Sequence, residues 1–349
     1  MKPSNIFIND AGRLRSGWRF AIYFAVFIVL SSLFETALQI LHLESRSAAG
    51  FLESNWGFIA QSAMLFSAAF LAGWGCLALF EGLPVRALGW ATHRGWMRDW
   101  LLGSLTGIAS LLVAVAIAAA MGVLHFTLNP AGTSVAVLST IVISCLVFIC
   151  AAAAEEMVFR GYPLQTMARS DIAWVAITVT AIFFGMVHLN NPNVEGWGFL
   201  QTAAGGAFRK IGWGFMNTTL AGVWLGVAYL RTRSLWFPLG VHWSWNWMMG
   251  AILGLPVSGI GDLTPNPLLH ATDAGPAWAW LTGGAYGIEG GAACTIALLL
   301  STLFIWRTRL ISATPEMLEL TDKENPKEAP LKIYDQPAIN NQPPASSES

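Results

Sequence analysis

Residues 135–160 read VAVLSTIVISCLVFICAAAAEEMVFR. The stretch 135–154 carries no charged side chain, and at about 1.5 Å rise per residue it is long enough to cross the roughly 30 Å hydrocarbon layer of a bilayer. Three charges then fall close together, at Glu155, Glu156 and Arg160. An ionisable side chain within the bilayer costs on the order of 3 kcal/mol on the insertion scale, so this cluster asks for a function.

Reading outward from this run at 135–159, seven more apolar runs follow the same pattern, at 20–41, 58–80, 100–124, 172–189, 218–230, 235–253 and 292–306. Hydrophobic residues make up 55% of the 349-residue chain and charged residues 11%, and mean hydropathy is +0.55. A soluble domain carries about 25% charged residues, so this composition excludes a soluble globule. The expected fold is all-α, a polytopic membrane bundle of about eight transmembrane helices. The net charge of −1 gives no basic field for nucleic acid. Cys76, Cys145, Cys150 and Cys294 all sit in apolar runs without ligand spacing and read as small buried residues. The first apolar run is too long for a signal-peptide core and reads as an uncleaved anchor.

Alternate connections differ in charge. One set holds Arg13, Arg15, Arg19, Arg86, Arg94, Arg98, Arg160, Arg169, Arg231, Arg233, Arg307 and Arg309, and the other holds Arg46, Arg209 and Lys210. Positive charge at span ends stays cytoplasmic, which places both termini in the cytoplasm and supports an even number of spans. The expected organisation is a cytoplasmic N-terminal segment at 1–19, three helices in 20–130, a helical core at 131–311 and a disordered cytoplasmic tail at 312–349, where large apolar residues are scarce. The Gly-, Asn- and Trp-bearing stretch 190–217 suits an interfacial or re-entrant segment. No internal repeat of the transporter kind is visible.

Polar residues inside the other spans narrow the site. The fifth run ends in FFGMVHLNNPN, with His188 and Asn191, and the seventh begins LWFPLGVHWSWNW, with His242 and Asn246. Glu156 and Arg160 are four residues apart on one helical face and form a structural brace, while Glu155 points about 100° away and is left for chemistry. His242 and Asn246 share a face by the same spacing, as do Phe184 and His188. Counted from a turn near Ser170 and Asp171, Glu155 and His188 reach nearly one level, whereas His242, counted from Arg233, lies roughly 9 Å shallower. Lone histidines at span ends are ordinarily interfacial, so His42, His93, His125 and His270 receive no role. The 17 tryptophans read mostly as interfacial belts, and Asn190, Asn191 and Asn193 as a turn.

With these residues in place, the chain resembles the CPBP family of intramembrane endopeptidases, which takes in CAAX prenyl proteases and bacteriocin-processing enzymes. The resemblance covers roughly 135–247 and rests on EExxxR (Glu155, Glu156, Arg160), FxxxH (Phe184, His188) and HxxxN (His242, Asn246) in that order on separate spans. The stretch 221–243, AGVWLGVAYLRTRSLWFPLGVHW, is similar to the bacterial branch. The resemblance implies a site within the membrane that opens toward the cytoplasm, with Glu155 and His188 activating a water and His242 and Asn246 stabilising an oxyanion. It implies a peptide or protein substrate in the membrane, the lipid bilayer as surroundings, and a multi-pass place in a bacterial inner membrane. Prenylated CAAX substrates are not expected for a bacterial chain.

The physics agrees with that division of roles: a carboxylate out of bulk water is a fit general base, and fixed donors in a low-dielectric site suit an oxyanion. No cofactor is expected. Two histidines and a carboxylate, here Glu155, His188 and His242, are also a plausible zinc set, but there is no HExxH and the metal-free mechanism is favoured. Two other functions compete: a noncatalytic membrane scaffold or peptide-immunity protein on the same fold, and a transporter with Glu155 as proton relay. Intact Glu155, His188, His242 and Asn246 favour the protease over the scaffold.

Overall fold

The computed structural model describes residues 6–9, 12–44, 50–51, 54–194 and 212–321, and each of the eight apolar runs lies on a helix. These are α1 (Ser16–Glu44), α2 (Asn55–Cys76, continued by a π turn Leu77–Glu81), α3 (Trp96–Ala120), α4 (Val135–Arg160), α6 (Ala173–Val187), α7 (Trp213–Thr232), α8 (Trp236–Trp247, continued by a π turn Met248–Ile252) and α9 (Ala292–Arg307). A short helix, α5 (Tyr162–Arg169), follows α4, and α10 (Pro315–Thr321) follows α9. The stretches Ser16–Ile40, Asn55–Glu81, Trp96–Ala120, Val135–Arg169 and Ala173–Asn190 are long and apolar enough to cross a membrane, and Ala292–Arg307 is a shorter apolar helix. The chain is a helical, multi-pass membrane bundle.

Several boundaries differ from expectation. The sequence places the sixth run at 218–230, yet α7 starts at Trp213, because Asn217 and Thr218 find partners inside the protein: Asn217 donates to the carbonyls of Glu289 and Gly291 and accepts from Thr295. The expected re-entrant segment falls largely on 195–211, outside the described residues. Arg19 and Arg160 are not loop cations. Both are fully buried, Arg160 against Glu156 and Arg19 against Glu81, which also binds Arg169 at 2.6 Å. The expected disordered tail is folded in its first part, since α10 buries Met317 and Thr321 and pairs Glu316 with Arg86; residues 322–349 lie outside the described residues.

Two faces of the bundle can be told apart by contact. On one, Arg98 donates to the carbonyl of Leu310, Arg231 to those of Thr308 and Ile311, and His93 meets Ser234. This is the face of the arginine-bearing connections. On the other, strands Leu124–Leu128 and Leu269–Asp273 pair antiparallel, with Leu124 opposite Asp273 and Leu128 opposite Leu269. Asn129 ties that sheet to the carbonyl of Pro267, and Asn55 reaches the carbonyl of Leu263.

α3 and α8 touch backbone to backbone. A Cβ on Gly240 would collide with the carbonyl oxygen of Trp100, and one on Gly103 or Gly107 with the carbonyls of Phe237 or Val241. Small residues let membrane helices approach this closely, and Ser244 seals the contact by donating to the carbonyl of Ser104 at 2.8 Å. This packing fixes the axial position of α8 and so of His242. Gly240→Ala is expected to destabilise the protein by about 1–3 kcal/mol through overpacking, read as a lowered melting temperature in detergent. An unchanged melting temperature would show that the two backbones have room to part.

Candidate active site

Three helices converge on Glu155. α4 brings Glu155, Glu156 and Arg160; α6 ends at Val187, so that His188 caps it; and α8 carries His242 and Asn246. Gly222 of α7 sits against the backbone of Ala181 in α6, where no side chain would fit. That close approach leaves the carbonyl of Gly222 facing Arg160, which donates to it at 3.3 Å.

Glu156 and Arg160 pair at 3.2 Å, both fully buried, as the spacing of four predicts. The guanidinium also lies 4.5 Å above the ring of Phe184, a cation–π contact in a desolvated setting. Phe184 is thus a platform, with Arg160 on one side and the His188 ring at 4.6 Å on another. Glu156 is more than a brace, because its Oε1 also meets His242 Nδ1 at 2.9 Å. Sequence spacing missed this link, since nothing in the helical period of α4 says which side of it α8 will occupy.

The tautomers follow from the partners. His188 Nδ1 lies 2.7 Å from the carbonyl oxygen of Phe184. A carbonyl only accepts, so Nδ1 carries the proton and the Nε2 of a neutral His188 presents a lone pair. That Nε2 is 4.0 Å from Glu155 Oε2, and His242 Nε2 is 3.6 Å from the same oxygen. Among the described residues Glu155 Oε2 has no hydrogen bond, and 28% of the Glu155 side chain is exposed. The expected axial offset between Glu155 and His242 is therefore absent.

All four residues of the expected catalytic set line one cavity of about 210 Å³. Asn246 stands in its wall with no hydrogen-bond partner among the described residues, so its amide is free to donate to a guest. The far wall is polar and was not foreseen. Glu289 accepts from Trp245 Nε1 at 3.0 Å and from both the backbone N–H and the hydroxyl of Ser258, while Asn191 donates to the carbonyl of Ser258. Asn191 and Asn193 do form the expected turn, but Asn191 also faces the cavity. A second cleft of about 350 Å³ runs between α1, α2 and α4, and it shares Phe58, Ala151 and Glu155 with the first. Glu155 thus stands between the two spaces.

Residues 137–248 match the family described as type II CAAX prenyl endopeptidase, Rce1-like. This part of the chain is similar to that family. The match agrees with the expected extent of 135–247 and contains every residue of the three motifs. The matched segment excludes Ser258, Glu289 and α9, so part of the cavity wall is supplied from outside it. No curated protein and no solved structure matches the chain. Among the described residues, no group of three or more His, Cys, Asp and Glu side chains is arranged to hold a metal ion.

Proposed function

We propose that the chain is a CAAX-protease-like intramembrane endopeptidase, acting on a peptide bond of a membrane-associated or lipid-modified substrate. The observation that carries this reading is one free carboxylate oxygen, on Glu155, facing two imidazole nitrogens at 3.6 and 4.0 Å beside an unpaired amide in a cavity. Water held between Glu155 and His188 gives up a proton to the carboxylate as its oxygen attacks the peptide carbonyl. His188 Nε2, a lone-pair acceptor, holds the second hydrogen of that water in line.

The oxyanion that develops needs donors already in place. Asn246 offers an N–H, and a doubly protonated His242 offers Nε2–H while its Nδ1–H stays on Glu156. Such a His242 also balances the charges, since two carboxylates otherwise face Arg160 alone. The proton taken up by Glu155 then passes to the departing amine, which restores the carboxylate. The cleft between α1, α2 and α4 is apolar along Phe34, Leu38, Met64 and Leu65 and suits the anchor of the substrate.

Cleavage of a membrane-anchored reporter peptide by the purified protein, lost in the Glu155 variant, is the direct test. The metal-free mechanism makes a separate demand. Activity is expected to survive exhaustive treatment with chelators, and elemental analysis of the active preparation is expected to find no stoichiometric zinc. Activity lost on chelation and restored by added zinc would replace this mechanism.

A further inference from the structure

Glu289 lines the cavity, and the hydrolysis proposed above gives it no task. It belongs to the connection between α8 and α9, outside the matched residues 137–248. Its backbone and its side chain are both held in place. Asn217 of α7 donates to its main-chain carbonyl at 2.8 Å. Its Oε1 accepts from Trp245 Nε1 at 3.0 Å, and its Oε2 accepts from the Ser258 backbone N–H at 2.6 Å and from the Ser258 hydroxyl at 3.0 Å. An indole N–H and a backbone N–H can only donate, and one of them stands at each carboxyl oxygen. That is the bonding pattern of an ionised carboxylate, because a protonated acid would turn a hydroxyl toward one of these donors.

The charge is held but not neutralised. Glu155 faces two imidazoles and Glu156 faces Arg160 and His242, whereas among the described residues no Lys, Arg or His pairs with Glu289 and no Lys or Arg lines the cavity. A carboxylate drawn away from bulk water without a counter-charge is costly, so this one calls for a cationic guest. A second acceptor stands beside it. Asn191 donates from Nδ2 to the carbonyl of Ser258 at 3.1 Å, which leaves its Oδ1 with no donor among the described residues. Ser258 thus ties the two side chains together, its N–H and hydroxyl on Glu289 and its carbonyl on Asn191. Its backbone is left-handed, with φ +49°, a conformation that costs a residue with a side chain and that these bonds hold from both sides.

We propose that Glu289 and Asn191 form a subsite for a cationic side chain of the substrate, a Lys or Arg close to the bond that is cut. An ammonium or guanidinium there would bond the carboxylate and the amide oxygen together, and charge-assisted bonds are about twice as strong as neutral ones. The level follows from α8. Trp245, which carries Glu289 on its indole, stands three residues after His242 on the same side of the helix and next to Asn246, about 4.5 Å along the axis. An extended chain advances about 3.3–3.6 Å per residue, so the cation belongs within about two residues of the carbonyl held by His242 and Asn246. The inference rests on the proposed hydrolysis for what the guest is, while affinity of the cavity wall for a cation requires no cleavage.

Binding of a membrane-anchored peptide series to the purified full-length chain tests this, with Glu155→Gln present so that no peptide is consumed. Each peptide carries Lys, Gln or Glu at one position, and the position is moved along the sequence. At one position or two adjacent ones, the Lys peptide is expected to bind at least about 10-fold more tightly than the Gln peptide, with the Glu peptide weakest. Adding Glu289→Gln should bring the Lys to Gln ratio close to one. A Glu289 that only pins the connection would weaken all peptides by one factor and leave the ratio unchanged, and that result would overturn the subsite, as would a series with no preference for Lys anywhere. Glu289→Asp keeps the charge but draws it back by one methylene, so part of the ratio should remain; if Glu289→Gln does not fold, a Glu289→Asp ratio equal to the parent's counts against the assignment. Cleavage by the chain with Glu155 intact is scored separately. Charge-selective binding without any cleavage refutes the proposed function and leaves the subsite standing, and cleavage indifferent to charge does the reverse.

Discussion

Glu155→Gln is expected to lower the rate of peptide cleavage by at least about 100-fold while leaving the folded protein intact, because the amide keeps the shape of the carboxyl but accepts no proton from water. The structure separates the two effects unusually well. Glu155 Oε2 makes no hydrogen bond among the described residues, and the side chain is partly exposed to the cavities, so no buried partner is stranded by the change. Melting temperature and yield in detergent should match the unsubstituted protein. The rate loss should be in kcat, since the proposed mechanism has substrate binding draw on the cavity walls and the α1, α2 and α4 cleft. Cleavage at an undiminished rate by the purified variant would remove Glu155 from the chemistry and with it the proposed mechanism.

The fold was readable because the bilayer permits so few solutions. Eight apolar runs could only become helices, and all eight did, with ends displaced where interior hydrogen bonds extended them, as at Asn217. The convergence of Glu155 and His188 followed from counting residues around the turn at Ser170 and Asp171, where Asp171 takes a left-handed conformation. The same count failed for His242. It assumed parallel axes measured from Arg233, whereas the level of α8 is set by glycine contacts with α3, which no count along α8 contains.

Other parts left no trace in the pattern of the spans. Glu289 lies in a glycine-rich connection, where a carboxylate draws no notice, and only the folded chain brings it beneath Trp245. The tryptophans misled for a related reason. Trp224, Trp243, Trp245 and Trp247 do not form an interfacial belt; their indole N–H groups satisfy Ser301, the carbonyl of Cys145, Glu289 and the carbonyl of Ile141 within the bundle. Composition reports that a tryptophan needs one polar partner, and says nothing of whether that partner is a headgroup or a helix. His93 likewise is interior, between Ser234 and Asp99.

Glu156→Gln is expected to destabilise the protein by about 3–5 kcal/mol, the usual result of removing one partner from a buried ion pair and leaving the other charge without compensation. Arg160 would keep the carbonyl of Gly222, the face of Phe184 and a neutral amide oxygen, none of which neutralises it. Glu156→Leu combined with Arg160→Leu is expected to recover much of that stability, because an apolar pair removes the stranded charge. Activity should not return with it. His242 Nδ1 loses its acceptor in the double variant, and the ring is then free to turn its Nε2 away from the cavity. Unfolding measurements and kcat on the folded fraction thus read different halves of one network: a brace alone would restore both in the double variant, while a brace that also orients His242 restores stability only. Full wild-type stability in Glu156→Gln would mean that Arg160 is solvated by a route other than Glu156, and the buried pair would lose its structural role.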